Sequence, residues 1–404
     1  MSVHHRPAAS LSRIAPHARL WGNREACLAQ RYAGVDCAMC IEECPTGALS
    51  ISKDGFVATP HCVDCGRCAA VCPTHAFSLS GVRVDVPEQT SGIISIECLK
   101  VPEQISVANA VRVPCTGALS TAQFLALANA SDGKGVEVVD RGWCTRCSAG
   151  GSTHPAEVRM AEANALLAQM GIPSDQCIGF SDRFVPAQLC PDSIPDPDLR
   201  HGVSRRGFLR HLVGQVARTV EDATAPETIG TPGPIHGHAR ILPVERLAIL
   251  SELRHVATRT GASLPASLFH DVSIAGECRH HQVCAATCAV AALRVREDSS
   301  DSGIDFHPAL CIGCGACVRS CPEQALHVTP ATEPAQPGDV RALTRHQLMD
   351  CFDCGTRFAD DQGADDHEPL CPSCRKSRNL GKSLFSRLFA PTGENNTIRS
   401  GGYR

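Results

Sequence analysis

The chain has 404 residues, a formal net charge of −4 and an aromatic content of 4%. This charge lacks the basic footprint of a nucleic-acid binder, and no apolar run approaches the ~18 residues of a membrane span. The length suits two to four domains, and 33 glycines, 27 prolines and 25 cysteines suit small cores held by metal better than one large core.

Residues 1–25 read as an N-terminal tail. They have no apolar leader segment, which gives the expectation of a cytoplasmic protein. Within residues 26–90 the spacing C-x2-C-x2-C-x3-C-P is complete at Cys62, Cys65, Cys68 and Cys72-Pro73. This is the spacing by which a short loop wraps a [4Fe–4S] cluster. Upstream, Cys37, Cys40 and Cys44-Pro45 keep the same offsets, but the first slot is Gly34. Cys27 could loop in as the missing ligand or be an idle thiol.

Residues 91–175 alternate strand-like runs (92–98, 110–115, 135–144) with helical ones (120–130, 156–171), which predicts a parallel sheet. Cys98, Cys115 and Cys144 each end a predicted strand, and Cys147 completes a C-x2-C. Ligands gather at the carboxyl ends of strands in open α/β sheets. These four thiols could hold a further cluster, or Cys144 and Cys147 could form a redox disulfide. Buried structural cysteines are the plainer alternative. Residues 176–270 read as linker with two helical stretches, near 205–221 and 243–260, and Cys177 and Cys190 there have no obvious partner. The segment Ser204-Arg-Arg-Gly-Phe-Leu-Arg210 looks like a twin-arginine export motif. It is internal and soon followed by charge, so a basic amphipathic helix is the better reading.

Within residues 271–331 the complete spacing returns at Cys311, Cys314, Cys317 and Cys321-Pro322. Upstream, Cys278, His281, Cys284 and Cys288 repeat its offsets, with histidine in the second slot and Ala289 in place of proline. Three readings stand: a cluster with a histidine ligand, a three-iron cluster with that corner empty, or a decayed site. Residues 332–349 read as linker. In 350–376, Cys351, Cys354, Cys371 and Cys374 make C-x2-C-x16-C-x2-C, the pattern of a tetrahedral four-thiolate site. Zinc is the default there and a single iron the alternative. Residues 377–404 read as a basic tail, disordered beyond about residue 390.

The doubled spacing, with the matching ends CPTGAL (44–49), CPTHAF (72–77), CAVAAL (288–293) and CPEQAL (321–326), resembles the bacterial two-[4Fe–4S] ferredoxin family. The resemblance covers roughly residues 27–80 and 275–330, about a quarter of the chain. It implies crossed ligation, the fourth cysteine of each motif reaching the other cluster. Cys62, Cys65 and Cys68 would join Cys44, and Cys37, Cys40 and Cys27 would join Cys72. Cys311, Cys314 and Cys317 would join Cys288, and Cys278, Cys284 and His281 would join Cys321. The middle stretch loosely resembles the delta-type iron–sulfur subunit of certain methanogen hydrogenases, and the C-terminal cysteine pairs resemble rubredoxin knuckles. The expected fold is α+β and multidomain: two ferredoxin-like modules, a small α/β parallel-sheet domain between them, and a C-terminal four-cysteine ribbon.

There is no G-x-G-x-x-G after a strand and no P-loop, and no nicotinamide, flavin or molybdenum site is visible. Electrons would therefore enter and leave through redox partner proteins, as in a subunit of an oxidoreductase complex. The expected function is electron relay between a cytoplasmic donor and a redox enzyme of dehydrogenase or hydrogenase type. The alternatives are a ferredoxin-type maturation factor for a molybdoenzyme and a thiol–disulfide subunit using Cys144 and Cys147. The expected cofactors are three to four [4Fe–4S] clusters, a [3Fe–4S] cluster being the alternative at one of them. A further iron–sulfur centre in the middle domain and zinc or a single iron at the ribbon complete the set.

Overall fold

The computed structural model describes residues 19–31, 35–52, 55–80, 92–192, 240–336, 338–359 and 369–389. The expected helix near 205–221, the twin-arginine-like segment and the Gly34 slot lie outside them.

The first described stretch runs β1 (Arg19–Gly22), α1 (Leu28–Arg31), α2 (Met39–Glu42), β2 (Leu49–Ser52), β3 (Gly55–Ala58), α3 (Arg67–Ala70) and β4 (Phe77–Ser80). Strand β1 pairs antiparallel with β4, with Leu20 opposite Leu79, and β2 pairs with β3 as a hairpin, with Leu49 opposite Ala58. The outer strands thus close over the inner hairpin. The short helices carry cysteines toward the space between them.

A parallel sheet follows, from β5 (Ile94–Cys98), β6 (Val111–Val113), α4 (Thr121–Ala130), β7 (Val136–Asp140), α5 (Glu157–Gln169) and β8 (Ile178–Asp182), in strand order β6-β5-β7-β8. Ser120 starts α4 with a capping box: its Oγ accepts from the Gln123 N–H at 3.3 Å and its N–H donates to Gln123 Oε1 at 2.9 Å. Such a cap contributes about 1 kcal/mol. Ile96, Val138, Leu119, Phe124, Leu125 and Leu127 are fully buried in the core that results, each stabilising the fold by roughly 1.5–3 kcal/mol. Helix α6 (Val244–Thr260) adds Leu253 and Val256 to that core. The reading of 176–270 as linker and helices therefore misses an element. Strand β8 extends the sheet at its edge; its apolar Ile178 and Phe180 alternate over only five residues, and Phe180 is exposed.

The next stretch repeats the first connectivity. It runs β9 (His270–Ile274), α7 (Val283–Thr287), β10 (Leu293–Glu297), β11 (Asp301–Phe306), α8 (Ala316–Ser320) and β12 (Leu326–Pro330). Strand β9 pairs antiparallel with β12 and β10 with β11. Strands β13 (Arg341–Ala342) and β14 (His346–Asp350) then both pair with β11, and β15 (Arg357–Ala359) pairs with β14. The expected linker over 332–349 thus contains the short strand β13 and most of β14 among irregular chain. Helix α9 (Pro372–Phe389) runs across the boundary expected at residue 376. No described helix is long and apolar enough to cross a membrane.

Candidate metal centres

Four turns of one design aim the sulfurs. Three residues after each of Cys44, Cys72, Cys288 and Cys321 stands a residue with positive φ: Gly47 at 59°, His75 at 50°, Ala291 at 54° and Gln324 at 51°. This left-handed residue folds the chain back so that the following amides face the sulfur. The Ala76 N–H donates to Cys72 Sγ at 3.1 Å, and the Ala292 and Leu293 N–H groups donate to Cys288 Sγ at 3.2 and 3.4 Å. At Cys44 burial pushes the thiol up, but the amides of Thr46, Ala48 and Leu49 outweigh it and hold the thiol below its usual range. The Ala-Leu or Ala-Phe pair closing each turn is buried. That is the physical content of the repeated sequence ends.

The loops ahead of the turns also share a backbone. In Cys62–Gly66, φ is positive at Asp64 (54°) and Gly66 (84°); in Cys311–Gly315 it is positive at Gly313 (66°) and Gly315 (68°). The His281 loop has the same two left-handed positions, at His280 (52°) and Gln282 (60°). A Cβ at Gly66 would collide with Leu79 Cδ1 and stand 2.9 Å from Ala118 Cβ. Gly66→Ala should therefore lower stability by about 2–4 kcal/mol, conformational strain and overpacking together. A thermal or denaturant melt reads this directly, and an unchanged midpoint would contradict it.

One cavity is lined by Cys44, Cys62, Cys65 and Cys68 among Leu20, Leu49 and Val63. A second is lined by Cys27, Cys37, Cys40 and Cys72 among Leu28, Ile51 and Phe77. Cys27 thus joins the set whose first slot is Gly34. Burial pushes Cys65 up to about 11, and burial with the neighbouring Cys72, Cys37 and Cys27 thiolates pushes Cys40 up to about 12. In the second stretch, burial and then Cys288, Cys311 and Cys314 push Cys317 up to about 12. Burial, with Cys278 and Cys321 adding to it, pushes Cys284 up to about 11. Thiols grouped this way resist ionising together unless cations compensate them. The ring of His281 places Nε2 3.0 Å from Glu323 Oε1.

At the sheet, Cys98 ends β5, Cys115 follows β6, and Cys144 and Cys147 follow β7. They lie at the carboxyl edge where the strand order reverses about β5, the position at which such sheets bind ligands. Burial, then the nearby Cys98 and Cys65, drives the Cys115 thiol well above its usual range. Burial, then Asp140, Cys98, Cys147 and Cys190, pushes Cys144 up to about 12. Cys190 therefore belongs to this edge, and so does the buried Lys100, whose Nζ is 4.0 Å from Cys147 Sγ. Neither is signalled by spacing, because an irregular loop separates Cys190 from β8. Cys177 stays apart, donating to the Pro173 carbonyl at 3.4 Å. Two ion pairs fasten the edge. Arg141 meets the fully buried Glu97 at 2.6 Å. Arg67 bonds Glu43 through Nε at 2.8 Å and the Ala149 carbonyl at 3.2 Å, tying α3 to the loop after Cys147. None of the 25 cysteines is in a disulfide.

Two groups of potential ligand atoms among the described residues lie within 4.8 Å of one another: Cys351, Cys354, Cys371 and Cys374, and Asp140, Cys144 and His154. In the second, His154 Nδ1 accepts the Ala156 N–H at 3.2 Å. That puts the ring proton of neutral His154 on Nε2 and leaves no nitrogen lone pair for an ion. In the first, Cys354 Sγ and Cys371 Sγ are 3.8 Å apart, matching the edge of a tetrahedron with metal–sulfur bonds of ~2.3 Å. Burial raises Cys351, but the amides of Cys371, Cys354 and Asp353 outweigh it and bring the thiol down to about 6. This group suits a single ion. The other thiol sets are not drawn so tightly together, as a multi-atom cluster requires. The ribbon departs from the two rubredoxin-like knuckles expected. Cys351 and Cys354 sit at the β14–β15 hairpin, but Cys371 and Cys374 sit at the start of α9. Pro372, the first residue of that helix, is pre-shaped for this position.

The sets abut one another. Cys65 and Cys115 share an apolar cluster with Val63 and Ala149, against which Cys147 packs. Cys27, Cys40, Cys68 and Cys72 share a second with Leu49, Val71 and Phe77. Cys37 and Cys314 both pack on a third, formed by Leu28, Val35, Ala289 and Ala316. Cys284, Cys311, Cys317 and Cys321 pack around Cys288, Val272 and Phe306 in a fourth.

A family model described as a 4Fe–4S dicluster domain matches residues 310–359. The match takes in Cys311, Cys314, Cys317 and Cys321 and also the ribbon residues Cys351 and Cys354. No curated protein matches the chain. The chain thus carries an iron–sulfur domain of the 4Fe–4S type, within a mixed helix-and-sheet fold and next to a four-cysteine metal group.

Proposed function

We propose that the chain is a multi-centre electron relay, passing single electrons between a donor protein and a redox enzyme of dehydrogenase or hydrogenase type. The observation that carries this reading is the unbroken succession of thiol sets through the four apolar clusters. The path starts at Cys98, Cys115, Cys144 and Cys147. It continues through Cys44, Cys62, Cys65 and Cys68, then Cys27, Cys37, Cys40 and Cys72. It crosses to Cys288, Cys311, Cys314 and Cys317 and ends at Cys278, Cys284 and Cys321 beside His281. The shared connectivity of residues 19–80 and 270–330 supports reading these stretches as two ferredoxin-like modules with crossed ligation. Iron–sulfur clusters bound at the sets would supply reversible one-electron chemistry.

The chain's own residues set how that chemistry runs. Apolar walls such as Val63, Leu49 and Phe77 exclude water. The amides of Ala76, Ala292 and Leu293 stabilise negative charge on the sulfurs, which raises the potential, and Lys100 does the same at Cys147. The ribbon holds a structural zinc in this account. Beside His281 a groove is lined by Arg279, Arg375 and Lys376, a surface suited to an acidic partner.

The test is electron delivery. Anaerobically loaded protein, reduced with dithionite, should discharge several electrons per chain into an acidic acceptor protein, more slowly as salt rises because the groove's charges are screened. A protein that takes up no electrons from dithionite contradicts the proposal.

A further inference from the structure

We infer that His281 is the fourth ligand of the centre formed by Cys278, Cys284 and Cys321, bound through Nδ1, and that Glu323 is the residue that positions it; this rests on the relay reading above. Three observations converge. First, the loop keeps the form of the complete motifs. His280 and Gln282 hold φ of 52° and 60° at the offsets where the complete motifs have Asp64 with Gly66 and Gly313 with Gly315. A non-glycine residue in this region costs roughly 1–2 kcal/mol, so a loop with nothing to wrap would relax. Instead it is pinned: the buried His280 ring bonds Ser302 Oγ at 2.8 Å through Nε2.

Second, the ring of His281 has one nitrogen engaged. Nε2 lies 3.0 Å from Glu323 Oε1, and a carboxylate only accepts, so the proton is on Nε2. The lone pair of the neutral ring is then on Nδ1. A carboxylate on the outer nitrogen is how metal-bound imidazoles are ordinarily oriented. Third, Glu323 is two residues past Cys321 in the same left-handed turn, so a single turn sets both a thiol and the carboxylate. Arg279 Nε lies 3.9 Å from the same Glu323 oxygen.

A neutral imidazole in place of a thiolate removes one negative charge and raises the potential of the centre relative to its all-thiolate neighbours. His281 is exposed beside the basic groove, which makes this centre the accessible end of the path.

The experiment is pulsed EPR on reduced, iron-loaded protein carrying ¹⁵N-histidine, with a redox titration of each centre. The expected result is a histidine nitrogen coupling in the native chain. It should disappear in His281→Cys, which keeps a four-iron centre at that set. Glu323→Gln should keep the coupling but raise the potential of that centre alone, since the charge on the imidazole's partner is gone. A three-iron signal in the native chain with no nitrogen coupling overturns the ligand assignment. An unmoved potential in Glu323→Gln overturns the positioning role. Chemical iron separates these from failure of the relay itself: a chain that binds no iron at any set refutes both readings together.

Discussion

Cys65→Ser should abolish electron passage between the sheet-edge thiols and the rest of the chain, and should remove roughly four irons from the loaded protein. Cys65 is buried with Cys44, Cys62 and Cys68 around one cavity and also shares an apolar cluster with Cys115. It is therefore both a member of its own set and a side chain that adjoins the neighbouring one. Serine keeps the shape but offers a poor ligand for iron, and its hydroxyl would be left among Val63, Leu79 and Ala149 with no sulfur chemistry to justify its burial. Iron analysis and freeze-quench EPR read the two consequences separately. Cys177→Ser is the control, because Cys177 stands outside every set and should change neither reading. Should Cys65→Ser retain all the iron and transfer electrons at the native rate, the assigned path is wrong.

Loss of the ribbon ion should unfold the C-terminal unit while leaving the preceding β10–β11 hairpin formed. Over the described part of residues 338–380 the buried side chains are those of Cys351 and Cys371, so the unit has almost no apolar core of its own. Its hairpin and helix are joined by the four sulfurs, the exposed Arg378–Asp353 ion pair and the Phe352 N–H to Pro369 carbonyl bond, and in such sites metal binding supplies most of the folding free energy. Chelation, or Cys351→Ser, should expose the amides of 351–359 and 370–380 to rapid hydrogen exchange. The Gly355 and Cys371 amides, which donate to the Cys351 carbonyl at 2.8 Å and to Cys351 Sγ at 3.3 Å, should lose protection first. Protection that survives removal of the ion would mean that packing, not metal, holds this unit.

The parts of this account legible in the sequence are those set by local offsets. A loop that wraps a cluster must present its cysteines at fixed spacing, so Cys62 to Cys72 and Cys311 to Cys321 stand out without any knowledge of the fold. The strands ending at Cys98 and near Cys115 and Cys144 show as apolar β-branched runs because both faces of the sheet are covered. What the sequence hides depends on contacts between distant elements. Strand β8 is a five-residue edge strand with one buried residue, so the sequence around Cys190 reads as linker. Strands β13 and β14 are short and half-exposed and exist because β11 offers them an edge. The Cys371-Pro372 step is compatible with a knuckle or with a helix start, and only the observed helix decides it. Cys37 and Cys314, 277 positions apart, come together through packing that no spacing announces. Glu323 gains its meaning only once His281 is seen against it.

The relay requires that the thiol sets hold iron–sulfur clusters in series. Its most direct test is the iron, acid-labile sulfide and zinc content of anaerobically purified native protein, recorded alongside low-temperature EPR. The expected content is about 12–16 irons per chain from residues 19–80 and 270–330 together, a similar amount of sulfide and one zinc, with EPR signals from interacting reduced centres. A chain carrying zinc but little iron or sulfide would contradict it.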